Sequence, residues 1–181
     1  AVLDDRAAEA MLERIRAAAA DGDSVGGVLE TAVTGLPAGV GEPWFDGLES
    51  VLSRALFAIP AVKGVEFGDG FAMTEWRGSR ANDAFTAEDG HITTVTNHNG
   101  GINGGISNGM PVVFRLAVKP TPTIHREQQT ADFLTGENTT LQCGGRHDPC
   151  IVHRARVVAD SVTALVLCDV LCGRFGTDWL V

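Results

Sequence analysis

The stretch Gly144-Gly145-Arg146-His147-Asp148-Pro149-Cys150, with Arg154 just beyond it, organises the reading of this chain. It sets a guanidinium, an imidazole and a carboxylate side by side between two glycines and a proline. Glycine lets the backbone turn through positive φ, and Pro149 fixes its own φ and pushes Asp148 away from helical angles. The three polar side chains therefore belong to a stiff bend. Arg146 can grip a phosphate or carboxylate through two parallel hydrogen bonds. Asp148 can hold or move a proton if its neighbours tune it. The plainer alternative is a surface turn with a local ion pair, and a second unusual segment upstream weighs against it.

That segment is Asn97-His98-Asn99-Gly100-Gly101-Ile102-Asn103-Gly104-Gly105-Ile106-Ser107-Asn108-Gly109, with five glycines in thirteen residues. Such a backbone can approach a ligand closely, and successive exposed N–H groups can form an anion-binding concavity. It is neither a Walker A loop nor a GxGxxG opening a helix, so no nucleotide fold follows from it. The strand expected from Pro111 to Val118 puts Val112, Phe114, Leu116 and Val118 on one side. It delivers Lys119-Pro120-Thr121-Pro122-Thr123, where two prolines hold the backbone extended. A lone lysine leaving a buried strand suits a phosphate or the polar edge of a flavin; the bland alternative is a solvated lysine at a strand end.

The chain has 181 residues, which is one domain or a large piece of one, and 44% of them are apolar, enough for a sizeable core. No apolar run approaches the roughly 20 residues of a membrane span. The first residues are acidic and helix-like, so no signal peptide is visible. A net charge of −9 argues against nucleic acid or an anionic membrane as the main partner. Only two lysines occur, Lys63 and Lys119. Cys143, Cys150, Cys168 and Cys172 read as reduced thiols in a cytoplasmic protein. With His147 and His153 nearby they match no common zinc spacing, so no metal is expected.

Asp4 or Asp5 is expected to cap a helix running to about Ala20, with Leu3, Ala7, Met11, Ile15 and Ala18 at helical spacing. Val28 to Thr34 is β-prone. A second helix is expected from about Trp44 to Ala58, burying Phe45, Leu48, Leu52, Ala55, Leu56 and Ile59, with Pro60 ending it. Ala61 to Phe67 reads as a strand, and Gly68-Asp69-Gly70 as a tight turn into a second strand from Phe71. Arg77 to Gly90 reads as a polar loop, and Ile92 to Thr96 as a short strand. Arg126 to Thr140 is polar and gives no clear pattern. Apolar residues nearly surround a helix expected from Asp160 to Cys172, which places it deep in a core or an interface.

Taken in order, Gly-Val-Gly-Glu-Pro (39–43), Ile-Pro-Ala-Val-Lys-Gly (59–64), Gly-Gly-Ile-Asn-Gly-Gly-Ile-Ser-Asn-Gly (100–109), Lys-Pro-Thr-Pro-Thr-Ile (119–124) and Gly-Arg-His-Asp-Pro-Cys (145–150) resemble the chorismate synthase family. The resemblance implies an α+β fold, a layered β-α-β sandwich with antiparallel sheets packed on central helices. It implies a lyase of the shikimate pathway that eliminates phosphate from enolpyruvylshikimate phosphate with reduced FMN, and a homotetramer. By resemblance, FMN contacts fall on Pro60, Ala61, Gly104, Lys119, Pro120, Thr121, Pro122, Thr123 and Arg146. Arg146 would also meet substrate. Asp148 matches the family's aspartate near the flavin N5, where it assists proton handling. The family often has another residue where Pro60 stands, which a backbone contact tolerates. His98 and His147 lie inside matched words but receive no catalytic role.

Only the family's C-terminal half is matched. Its N-terminal motifs, including the acid histidines, have no counterpart, and Gly173 to Val181 match nothing. The chain is therefore expected to be a fragment, one piece of a split enzyme, or a degenerate copy, and to lack full activity alone. The rival reading is a non-catalytic protein, either a flavin- or phosphate-binding remnant or a structural subunit.

Overall fold

Asp4 starts the first helix: its carboxylate accepts the N–H of Arg6 at 2.8 Å and of Ala7 at 3.3 Å, satisfying donors a helix start leaves open. In the computed structural model, which describes residues 2–177, this helix is α1 (Asp5–Ala20). It is followed by β1 (Gly27–Val33), α2 (Leu48–Phe57), β2 (Val62–Phe67), the single turn α3 (Gly78–Ala81), β3 (Phe85–Glu88) and β4 (His91–Thr94). Then come β5 (Ile102–Asn103), β6 (Ile106–Ser107), β7 (Val112–Val118), β8 (Glu127–Ala131), β9 (Asn138–Gln142) and α4 (Val152–Phe175). The contacts divide the chain into two compact units. One comprises Ala1–Gly27 and Val118–Ala155, the other Val28–Ala117 and Arg156–Val181.

The second unit holds the core. Strands order as β1-β7-β2 in a three-stranded sheet. Along β7, Val112, Phe114 and Leu116 are almost wholly buried and alternate with partly exposed Val113 and Arg115, as period-two patterning requires. Leu48, Leu52 and Leu56 recur every four residues along α2 and are fully buried, so the helix lays one stripe on the sheet and packs on β2. Ala159 and Leu167 of α4 complete the same cluster. Each Leu or Phe buried in this way contributes about 1.5–3 kcal/mol.

Several expectations change here. The helix expected from Trp44 is broken: Trp44–Asp46 form a 3-10 turn, and α2 begins only after Gly47. Gly105 O accepts the Leu48 N–H at 2.9 Å, and Gly47 is pressed against the Gly105 Cα, so the break is a tertiary contact. Phe45 leaves the buried stripe and is 84% exposed. Phe71 does not start a strand. Glu66 Oε2 accepts its N–H at 3.1 Å, Gly70 takes φ 48°, and Gly70–Glu75 wind into a 3-10 turn. The expected loop of 77–90 contains α3 and β3, with β3 pairing β4 antiparallel from Phe85↔Thr94 to Glu88↔His91. The longer α4 is buried only along Ala159, Thr163 and Leu167. Leu165 is 71% and Val157 62% exposed, so its apolar girdle is half uncovered. Of the unmatched tail 173–181, residues 178–181 lie outside the described residues.

The first unit is α1, the antiparallel hairpin β8–β9 and the segments around them, and in it α1 buries no residue. The β8–β9 pairing, Glu127↔Gln142 through Ala131↔Asn138, orders a stretch without an apolar pattern. All four cysteines are free thiols; Cys150 is buried and Cys168 exposed. Among the described residues no helix is long and apolar enough to cross a membrane.

Candidate functional site

The bend lies in the first unit. Gly145 takes φ 96°, the left-handed turn that a side chain would resist. His147 Nε2 sits 3.0 Å from Gly144 O and closes the bend on itself. Two consecutive residues after α1 then join distant segments. Ser24 Oγ donates to Thr121 O at 2.6 Å, and the Val25 N–H donates to Pro149 O at 2.8 Å. The Lys119–Thr123 segment and the Gly144–Cys150 bend are thereby tied to one short loop. Asp23 stiffens that loop: it accepts the Ser24 N–H at 2.8 Å and pairs with Arg126 at 3.0 Å, and both contacts hold its carboxyl below the usual range.

Thr123, His125, His147 and Asp148 line one cleft of about 110 Å³ with Ser24 and Pro149. The His125 and His147 rings are tilted against each other at 5.0 Å. Asp148 pairs with Arg154 in the first turn of α4, and both side chains are partly open to water. Lys119 and Arg146 are exposed and make no hydrogen bond or ion pair with any described residue. Two free cations in an acidic chain are available to an anionic ligand. Thr121 Oγ1 is buried without a hydrogen-bond partner, a costly state that a ligand or further polypeptide would relieve.

The other candidates belong to the second unit. Ala61 takes φ 73°, a left-handed conformation costing an alanine about 1–3 kcal/mol. It follows Pro60, which is exposed after α2. Gly104 and Gly105 form the two-residue turn between β5 and β6, at φ 59° and 87°. A side chain at Gly104 would meet open space, whereas one at Gly105 would strike Glu42 O at 2.5 Å. The backbone of Gly104 is therefore open to a ligand while its neighbour is locked. Ser107, buried at 3% exposure, does much of that locking. Its Oγ donates to Pro37 O at 2.6 Å and accepts the Val40 N–H at 2.9 Å, sewing residues 37–41 to the glycine-rich hairpin.

Thus hydrogen bonds pair four of the five motif words, 39–43 with 100–109 in one unit and 119–124 with 145–150 in the other, while 59–64 lies in the former of these units without such a tie. Sequence reading passed over Ser107, Asp69 and Asp83. Ser107 lies inside a glycine-rich word whose glycines carry the stronger local signal, and nothing local distinguishes the two aspartates from solvated ones. A second groove of about 160 Å³, on the sheet unit, is lined by Val28, Val65, Phe71, Ala117 and the Glu66–Arg115 pair. Its one guanidinium is already neutralised at 3.0 Å, so it offers no free charge. Among the described residues no cluster of three His, Cys, Asp or Glu side chains could hold a metal.

As a test of fit to a flavin mononucleotide, each unit by itself offers suitable donors: the first, two unpartnered cations and an orphaned threonine hydroxyl; the second, an open glycine backbone. The 110 Å³ cleft alone is too small for a flavin, since ligand pockets run to roughly 300–1,000 Å³, and its lining includes the Asp23 and Asp148 carboxylates but neither Lys119 nor Arg146.

Comparison with known proteins identifies the family and the fold. The family model for chorismate synthase matches residues 1–172. The chorismate synthase of Opitutus terrae is 53% identical over 174 residues, covering 93% of this chain and 48% of its own. That of Thermococcus kodakarensis is 47% identical over 178 residues, covering 98% and 50%. A solved crystal structure of chorismate synthase superposes with a TM-score of 0.75 at 31% identity, over 93% of this chain and 43% of that one. The chain spans about half the length of the curated relatives it matches. The α+β fold with antiparallel sheets is that of the solved enzyme, four of the five motif words fall in two spatial pairs, and the match runs through both units. On these grounds the chain belongs to the chorismate synthase family.

Proposed function

We propose that this chain contributes the flavin- and phosphate-facing part of a chorismate synthase, which removes phosphate and a ring proton from enolpyruvylshikimate phosphate to give chorismate. The observation that carries the reading is the joining of the Lys119–Thr123 segment and the Gly144–Cys150 bend by Ser24 and Val25, with Lys119 and Arg146 left free. Lys119 and Arg146 would neutralise the phosphates of cofactor and substrate, Arg146 through its two-pronged fork. Pro60, Ala61 and Gly104 would meet the flavin through backbone, and Pro120, Thr121, Pro122 and Thr123 along its polar edge. Thr121 Oγ1 would there gain the partner it lacks. Asp148, oriented by Arg154, would take or hold the proton. Reduced FMN, when bound, supplies electron density to the allylic system as phosphate leaves. The same reading carries a cytoplasmic homotetramer.

The test uses the complete polypeptide that carries this chain. Anaerobic titration with reduced FMN should give saturable binding, and phosphate release should require substrate and reduced flavin together; absence of flavin binding sinks the proposal. Asp148→Asn should lower turnover by about 100-fold, the typical size of a proton-transfer contribution, with flavin affinity within about threefold. Equal losses in both would remove the proton role. Lys119→Ala should weaken reduced FMN or substrate by about tenfold, the loss of one charge-assisted contact; unchanged affinity for both takes Lys119 out of the site. Because this chain spans half the relatives' length, alone it should turn over no substrate.

A further inference from the structure

The glycine-rich hairpin is entered through a loop held by two carboxylates that no assigned role explains. Asp83, 5% exposed, accepts four hydrogen bonds. They come from Thr96 Oγ1 at 2.7 Å, the His98 N–H at 2.8 Å, the Asn99 N–H at 2.9 Å and Asn99 Nδ2 at 2.8 Å. Asp69, just past β2, grips the same loop again. Its N–H donates to His98 O at 2.9 Å, and its Oδ2 lies 2.5 Å from His98 Nδ1. The Trp76 indole stands edge-on to the imidazole at 5.0 Å, and Arg80 stacks on that indole at 4.0 Å. Asp83 already satisfies the His98 and Asn99 N–H groups, so these backbone donors do not call for the imidazole clasp.

What the clasp fixes is register. Gly100 follows His98 by two residues and is threaded between neighbours: the Val113 N–H donates to Gly100 O at 3.1 Å, and the Gly68 N–H to Val113 O at 2.9 Å. A side chain at Gly100 would strike Gly68 N and Val113 O, both at 2.5 Å. With no slack there, a displacement of His98 would pass through the turn at 98–101 and the short β5 to the Gly104 turn. We propose that His98 and Asp69 form a clasp that sets the position of the glycine-rich hairpin and so presents the Gly104 backbone to the cofactor. His98 is on this account a positioning residue. The proposal rests on the flavin reading above.

The experiment compares wild type, His98→Ala and His98→Asn in the complete polypeptide. The asparagine amide nitrogen takes the place of Nδ1 and keeps the donor to Asp69. Amide hydrogen exchange of residues 100–107 is measured without flavin, and affinity for reduced FMN separately. His98→Ala should speed exchange and weaken FMN by about tenfold each, the size of one lost charge-assisted hydrogen bond, and His98→Asn should recover most of both. Unchanged exchange in His98→Ala, or an asparagine variant no better than alanine, overturns the clasp. Faster exchange with unchanged FMN affinity overturns its link to the cofactor. If exchange responds but the wild type binds no flavin, the functional reading fails and the clasp stands.

Discussion

The unit that carries Gly104 buries thirteen apolar residues in one cluster, whereas among the described residues the unit that carries Asp148 buries only Val118 and Cys150. The first is fixed by burial, the second by hydrogen bonds at its surface: Ser24 to Thr121, Val25 to Pro149, Asp23 to Arg126. The difference teaches where rigidity and adaptability reside. Segments with few buried contacts and exposed hydrogen bonds open at low free energy, and ligand-closing elements are drawn from them. A glycine cradle set on a packed core can hold a fixed backbone donor, while a cationic bend on a lightly buried unit can close on an anion.

Three measurements would break or sharpen this contrast. The largest effect is expected from Phe114→Ala, at the centre of the cluster. It should cost about 3–5 kcal/mol in denaturant unfolding, through lost burial and the cavity left behind. A cost below about 1 kcal/mol would mean that the cluster does not carry the stability of its unit. Next is acid sensitivity. Burial alone would raise the Asp83 carboxyl, but its bonds from Thr96, Asn99 and His98 outweigh that and bring it from 3.8 to about 2. A depressed acid stabilises fully above its unfolded value and loses that contribution as pH falls through its folded one. Asp83 should therefore contribute about 2 kcal/mol above pH 4, fading towards pH 2. Urea unfolding across that window should show a shallower slope in Asp83→Asn; an identical slope removes Asp83 as its source. The smallest effect is expected from Arg154→Ala. Its pair with Asp148 is largely solvent-exposed, so stability should change by less than about 1 kcal/mol. A larger loss would mean that the lightly buried unit leans on that pair.

Legibility in the sequence followed the same division. The alternation of Val112, Phe114, Leu116 and Val118, the Asp4 cap and the leucine stripe of α2 were readable because local pattern and burial agree. The break at Gly47 was not, because it is made by Gly105, more than fifty residues away in sequence. Phe71 was misread as a strand start because its turn is held by the Glu66 side chain. The β8–β9 hairpin has no buried face, so no apolar period marks it. In the candidate site, Arg146, Asp148 and Lys119 were legible as motif residues. Asp83 and Asp69 were not, since a carboxylate surrounded by donors looks, in a string of letters, like one facing water.

The turn at Gly104 and Gly105 makes neighbouring glycines answer to different demands. Position 105 has backbone packed where a Cβ would go, so it forbids every side chain. Position 104 asks only for left-handed backbone, which asparagine tolerates. A library that varies both should therefore return polar left-handed residues at the first and glycine alone at the second, and the survivors would carry a new side chain into the space offered to a ligand.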